Sequence, residues 1–180
     1  MLLARLLVVS LLPGCFLLDE DDAAPCDVDA TTAIEIVAAD GNSVVRPLAT
    51  GGDLSLLVAP QGGFITLIGP RIAVTSDRCQ VQVSAALRDP ATNVVVGLEQ
   101  RPITLERVGA WSQPPSPASI SDLANVALCS SPQPVVDQTF EVEVDVLDED
   151  GQKIISATST AVPRCAASDS YCMTSCAGYL

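Results

Sequence analysis

The chain contains no histidine and only one lysine, Lys153. Without histidine there is no Ser-His or Cys-His pair to activate a nucleophile. A Ser-Lys dyad would have to use Lys153, which follows a hairpin turn. Aromatic residues are equally scarce: one Trp, two Tyr and three Phe in 180 residues. A stacking platform for sugars needs several exposed rings, and Trp111 alone reads as a packed core or loop-covering side chain. Positive charge is also short, nine Lys and Arg against 22 Asp and Glu, for a net charge of −13. No basic patch exists to neutralise phosphates, so nucleic acid is not expected as a partner. Finally, the apolar stretch Leu6–Leu18 has Pro13-Gly14 inside it and falls short of the ~20 residues that cross a bilayer.

What the N-terminus does contain is MLLARLLVVSLLPGC. Arg5 supplies the positive start, Leu6–Leu12 the apolar centre, and Pro13-Gly14 breaks any helix just before Cys15. This is the layout of a secretory signal. Leu12-Pro13-Gly14-Cys15 resembles the lipobox of bacterial lipoproteins, departing from it at Pro13, where a small or hydroxyl residue is commoner. The resemblance implies cleavage before Cys15, acylation of Cys15, and attachment to a membrane face by several acyl chains, since durable anchoring takes more than one. It also implies a place in the bacterial cell envelope. Phe16, rather than Asp, follows the Cys, which in that family favours the outer membrane. The mature chain would have 180 − 14 = 166 residues, enough for one domain with a core.

Seven cysteines are present. With Cys15 reserved for lipid, six remain: Cys26, Cys79, Cys129, Cys165, Cys172 and Cys176. An even number in an exported chain reads as three disulfides, and six cysteines allow 15 connectivities. The working expectation pairs Cys79 with Cys129 across the domain and lets the other four tie the N-terminal entry to the tail. Zinc is the functional alternative, but Cys165-x6-Cys172-x3-Cys176 has no CxxC knuckle and no His. No cofactor is expected.

Residues 15–26 form a tether whose acids Asp19–Asp22 repel one another and stay solvated. Beyond it the pattern is β. Thr32, Ile34, Ile36 and Ala38 alternate, Asp40-Gly41-Asn42 signals a turn, and Leu54, Leu56 and Val58 make a short run before Gln61-Gly62-Gly63. Phe64–Ile68 reads as a buried strand, with Gly69-Pro70 as a bulge or break. In Cys79–Leu87 the residues Cys79, Val81, Val83, Ala85 and Leu87 share a face. After a turn at Arg88–Asn93 the chain returns through Val94, Val96 and Leu98. In Thr139–Leu147, Phe140, Val142, Val144 and Val146 oppose Glu141, Glu143 and Asp145, and Lys153–Val162 returns. Alternation with acids on one face means one buried and one wet face. Trp111–Ser119, with Pro114, Pro115 and Pro117, reads as a crossing loop without regular structure. Ser121–Val126 could hold a helical turn, and no useful helix is expected after the signal.

Turns every 8–12 residues between short strands predict an all-β fold, an immunoglobulin-like antiparallel sandwich of seven to nine strands over residues 27–165, with an antiparallel barrel as the alternative. Residues 166–180 form a Cys-rich tail. The order of lipobox, Gln61-Gly62-Gly63-Phe64 turn, Cys79-x-Val81-x-Val83 strand, Leu87-Arg88-Asp89-Pro90 turn and Cys-rich tail resembles bacterial surface lipoproteins with an immunoglobulin-like domain. That resemblance implies a fold and a location, and of the functional residues only Cys15.

Two functional readings follow. One is a non-enzymatic, lipid-anchored binding or structural module whose partners are the membrane, through Cys15, and an envelope protein met along a sheet edge or the loop Trp111–Ser119. The other is an inhibitor presenting Gln113–Pro117, or a hydrolase built on carboxylates, which requires two buried acids facing one concavity. Asp145, Asp148 and Asp150, just before Gly151, loosely suggest a calcium loop, though their spacing departs from the EF-hand and suits an ordinary acidic turn.

Overall fold

Both hairpins with strict alternation form, and they make the centre of the molecule. The computed structural model describes residues 23–129 and 134–177. Cys15, its tether as far as Asp22, and residues 178–180 of the tail lie outside them. Strand β6 (Arg78–Arg88) pairs with β7 (Val95–Val108) on one side and with β10 (Phe140–Leu147) on the other. Strand β11 (Lys153–Arg164) extends the sheet, and β3 (Gly52–Ser55) closes it as a parallel partner of β11. A second layer is built on β5 (Phe64–Ile72), which pairs with β1 (Ile34–Ala39), β4 (Leu57–Val58) and β9 (Ala124–Leu128). Strand β2 (Val45–Pro47) flanks β1, and β8 (Trp111–Gln113) links β7 to β5 at the edge. The result is a disulfide-stabilised all-β sandwich. Among the described residues it has eleven strands, of which β2, β4 and β8 are only two or three residues long; the longer ones agree with the seven to nine expected.

The core lies where the two layers face each other. Cys79, Val81, Val83, Ala85 and Leu87 of β6 meet Val142, Val144 and Val146 of β10, all buried, against Phe64, Ile68 and Ile72 of β5. Burying each of the Val, Leu, Ile and Phe side chains contributes about 1.5–3 kcal/mol. Strand β5 is buried along nearly its whole length because it is covered twice. Its other face carries Ile65 and Leu67, which pack with Val37, Ala118 and Leu123 beneath the proline-rich connection.

Four local expectations change. Gly69-Pro70 does not break β5. A Cβ on Gly69 would come within 2.7 Å of Leu123 Cδ2, so the glycine admits the covering leucine. Pro70 pairs with Ile36, whose carbonyl already accepts from Leu48 N–H on the β2 side. The proline nitrogen therefore points away from β1, into the gap between β9 and β8, where no ladder bond is lost. Ser121–Val126 makes no helical turn. Ala124 begins the alternation of β9 with Val126 and Leu128, and Leu123 just before it packs on the other face of β5. Trp111–Gln113 is a strand, so only Pro114 onward is the crossing loop. Helix α1 (Ser170–Cys176) forms in the tail, N-capped by Asp169 Oδ1 accepting from Cys172 N–H at 2.9 Å.

The disulfides are Cys26–Cys79, Cys129–Cys176 and Cys165–Cys172. The expected Cys79–Cys129 bridge is absent for a geometric reason. Cys79 sits at the start of β6, at the end of the sandwich that holds Ile72, whereas Cys129 follows Leu128, which pairs with Phe64 at the opposite end of β5. Cys26 is brought to Cys79 by main-chain bonds: Gln80 N–H donates to Ala24 C=O at 2.8 Å and Cys26 N–H to Gln80 C=O at 2.9 Å. The tail is pinned instead to β9, and Tyr171 of α1 packs on Phe64 with ring centres 5.4 Å apart.

Candidate functional site

The acids singled out in the sequence are employed locally. Asp148 Oδ1 accepts from Gln152 N–H at 2.7 Å and Asp150 N–H at 3.0 Å, closing the β10–β11 turn, with Gly151 at φ 76°. Only glycine adopts that conformation freely. Asp145 lies on the outer face of β10, 2.8 Å from Lys153 Nζ, which also donates to Glu143 Oε1 at 2.7 Å. Arg88 approaches Glu143 at 3.6 Å. The Lys153 hydrogen bond, with the Lys153 and Arg88 charges, holds Glu143 below the usual carboxylate range, while Asp145 and Glu143 hold Lys153 above its usual value. Asp145 thus belongs to an ion pair, and Asp148 and Asp150 to a turn. Among the described residues, no three His, Cys, Asp or Glu side chains gather around a point.

The return strand of the first hairpin departs most from expectation. Register places Gly97 opposite Leu87, Glu99 opposite Ala85 and Arg101 opposite Val83. Cross-strand partners share a face, so Gly97, Glu99 and Arg101 point inward. Leu98 points outward and is 61% exposed, and Val94 is exposed beside the turn. The reason is β9, which crosses the inner side of β7 and offers it a strand edge. Glu99 accepts from Asn125 N–H, and Arg101 Nη1 donates to Ile120 C=O at 2.8 Å and Leu123 C=O at 3.0 Å. The two side chains also pair at 3.2 Å. A Cβ on Gly97 would sit 2.7 Å from Ala127 O and from Val126 Cγ1, so only glycine lets the strands approach. Polar residues inside the sandwich thus satisfy main-chain groups that no neighbouring strand pairs. Apolar alternation alone could not reveal them, because the signal is an acid and a base two residues apart on a nominal core face.

The sandwich has two unlike ends. One holds Cys26, the start of β6 and the Asp148–Gly151 turn, and the chain enters the domain there. The other holds the Asp89–Asn93 turn, the end of β9 and α1. Of the eight exposed large hydrophobic residues among those described, Val58, Val94, Val95, Leu98, Tyr171 and Met173 lie toward this second end. A cavity of about 550 Å³ opens there between the Asp89–Ala91 turn and the segment Pro134–Phe140. A larger one, about 650 Å³, lies at the entry end between Pro25–Val28 and the acidic turn. Neither is lined by two buried acids, the arrangement that a carboxylate hydrolase requires.

The proline-rich segment is tied down at its core end. Pro114 and Ala118 are buried, Val45 N–H donates to Ser116 Oγ at 3.2 Å, and Ala118 N–H donates to Ser43 C=O at 2.8 Å. Trp111 is half-buried beneath the Arg71 guanidinium, 4.7 Å from the ring centre. It is the covering side chain that a lone aromatic suggests. Comparison with known proteins yields no family model, no curated relative and no solved structure that matches the chain.

Proposed function

We propose that the chain is a lipid-anchored, non-enzymatic binding module of the bacterial cell envelope. Cys15 carries the lipid, the outer membrane is the anchoring face, and an envelope protein is the partner. The observation that carries the reading is cysteine parity. Cys26, Cys79, Cys129, Cys165, Cys172 and Cys176 all pair with one another, which leaves the lipobox residue Cys15 for acylation. The entry of the chain at one end of the sandwich, and the gathering of exposed apolar side chains toward the other, support a domain that stands on its tether and presents its far half to a partner. The acidic run Asp19–Asp22 suits a spacer, because consecutive like charges repel one another and favour solvent.

Intact mass of the detergent-extracted protein tests the anchor. The expected mass is that of residues 15–180 plus diacylglyceryl and acyl groups, with six sites alkylated only after reduction. Cys15→Ala is expected to abolish the acyl mass and release the chain from membranes. An unacylated native mass refutes the anchor.

A further inference from the structure

Strand β7 pairs with β6 from Val95 to Glu106, and among the described residues β8 covers its other edge only at Glu106–Val108. The direction of its main-chain groups follows from one bond: Arg107 N–H donates to Asp77 C=O, on the β6 side, at 2.9 Å. Main-chain groups alternate sides along a strand. Those of Glu99, Arg101 and Ile103 therefore serve β6, and those of Leu98, Gln100 and Thr104 face the open side. Pro102 shares that parity and has no N–H to offer.

Natural sheets guard open edges with prolines, charges or coverage. Pro102 guards the lower half of this one. The upper half, around Leu98–Gln100, has no such guard among the described residues. Leu98 is exposed, Gln100 is neutral, and the one charge between them, on Glu99, is engaged by Arg101 and Asn125.

We infer that the open edge of β7 at Leu98–Gln100 accepts an extended, cationic segment of a partner protein as an added strand. Main-chain bonds to Leu98 and Gln100 would hold the segment, and an apolar side chain beside Leu98 would give selectivity. The chain's net charge of −13 draws a Lys- or Arg-bearing segment and repels an acidic one. A second copy fits less well, and here the inference rests on the anchored-module reading. Antiparallel pairing of two β7 edges turns one copy end over end. Its tether from Cys15 to Cys26 spans at most about 40 Å when fully extended. That is about the ~36 Å length of β6, so the inverted copy would have to stretch its acidic tether along the whole acidic domain to reach the same bilayer.

The experiment is amide hydrogen exchange, read at single residues, on the full detergent-extracted chain. The probe is a synthetic end-blocked peptide of alternating Val and Thr flanked by Lys, about nine residues long, a common strand length. The Leu98 and Gln100 amides are expected to exchange fast in the free protein and about tenfold slower with saturating peptide, while Gly97 and Glu99 stay unchanged. The same peptide flanked by Glu is expected to give no protection. Gln100→Pro removes a donor on the open side without touching the β6 ladder and is expected to abolish the response. Leu98→Lys, which places a guarding charge on the edge, should weaken it about tenfold and serves if the proline variant does not fold. Leu98 and Gln100 amides protected without peptide, or an undiminished response in Gln100→Pro or Leu98→Lys, would overturn the inference. So would sedimentation showing a dimer that itself slows Leu98 exchange, which assigns the edge to a second copy. The mass of the same preparation separates the two proposals. Acylated Cys15 with no edge response removes this inference alone, and an unacylated chain whose edge takes the peptide removes the anchor alone.

Discussion

The three disulfides offer a matched comparison, because the Cys26–Cys79 and Cys165–Cys172 pairs each join one buried and one half-buried cysteine. Replacing either pair by alanine therefore leaves similar packing defects, and the difference between the two variants isolates chain closure. The bridged residues are 53 apart in the first pair and seven apart in the second. In the chain-entropy account the cost of losing a bridge grows as 1.5RT ln n, so the long loop should cost more by 1.5RT ln(53/7), about 1.8 kcal/mol. The absolute losses are about 4.2 and about 2.4 kcal/mol. For a domain of this size, the larger loss lowers the melting temperature by roughly 10 °C. Urea unfolding of Cys26→Ala/Cys79→Ala beside Cys165→Ala/Cys172→Ala, fitted with a common slope, measures the difference directly. Equal losses, or a larger loss from the short loop, would refute the reasoning. The stabilisation would then come from local order around α1 rather than from the span of the closed loop.

Other expectations rest on single contacts. Gly97→Val drives a side chain into Ala127 O and Val126 Cγ1 and should cost about 1–3 kcal/mol by urea unfolding. A neutral result would mean that β7 and β9 are not in close contact. Arg101→Ala strips a donor from Ile120 C=O and Leu123 C=O and should cost about 1–3 kcal/mol, with faster amide exchange in β9. Thr66 is fully buried and its hydroxyl has no partner among the described residues, so Thr66→Val should stabilise by about 1 kcal/mol. A loss of stability would reveal an unseen partner. The pH profile follows from the shifted groups. Asp40 and Asp89 are lowered chiefly by N–H groups of Asn42 and Ala91, and Glu143 chiefly by Lys153. Depressed carboxylates contribute stability that is present above their unfolded values and lost as pH falls through their folded ones, so the acid limb should lie below about pH 4. Lys153, raised by Asp145 and Glu143, contributes in the opposite sense: its share is complete below its unfolded value and is lost as pH rises through the folded one, above about pH 10.5. Glu143→Gln should flatten part of the acid limb without moving the neutral plateau by more than about 1 kcal/mol, the scale of a surface ion pair.

The strands that alternate strictly were legible because a half-buried sheet imposes period two on its own residues. Phe140–Val146 and Cys79–Leu87 illustrate this, each with one face wholly buried. The Asp148–Gly151 turn was legible for a similarly local reason, since Asp and Gly supply its hydrogen bonds and its positive φ. The candidate site was not. The sequence shows only an apolar alternation through Val94, Val96 and Leu98, which says nothing of which face of the return strand is covered. The inner positions of that strand are Gly97, Glu99 and Arg101, chosen by a strand remote in sequence. Nothing near Glu99 announces that its carboxylate meets Asn125 N–H, 26 residues away.

Composition and local pattern were sufficient to determine a disulfide-bonded β sandwich, because the alternation, the turn residues and the even count of cysteines beyond Cys15 are properties of neighbouring residues. The pairing of those cysteines, the end of the domain at which the chain enters and the edge of β7 left open are long-range facts. They depend on which ends of which strands meet, and Cys79 and Cys129 stand at opposite ends only because β9 pairs antiparallel to β5 with Leu128 beside Phe64. Spacing along a chain carries no information about that choice. It is made by the burial of β5 on both faces, which no single strand can specify alone.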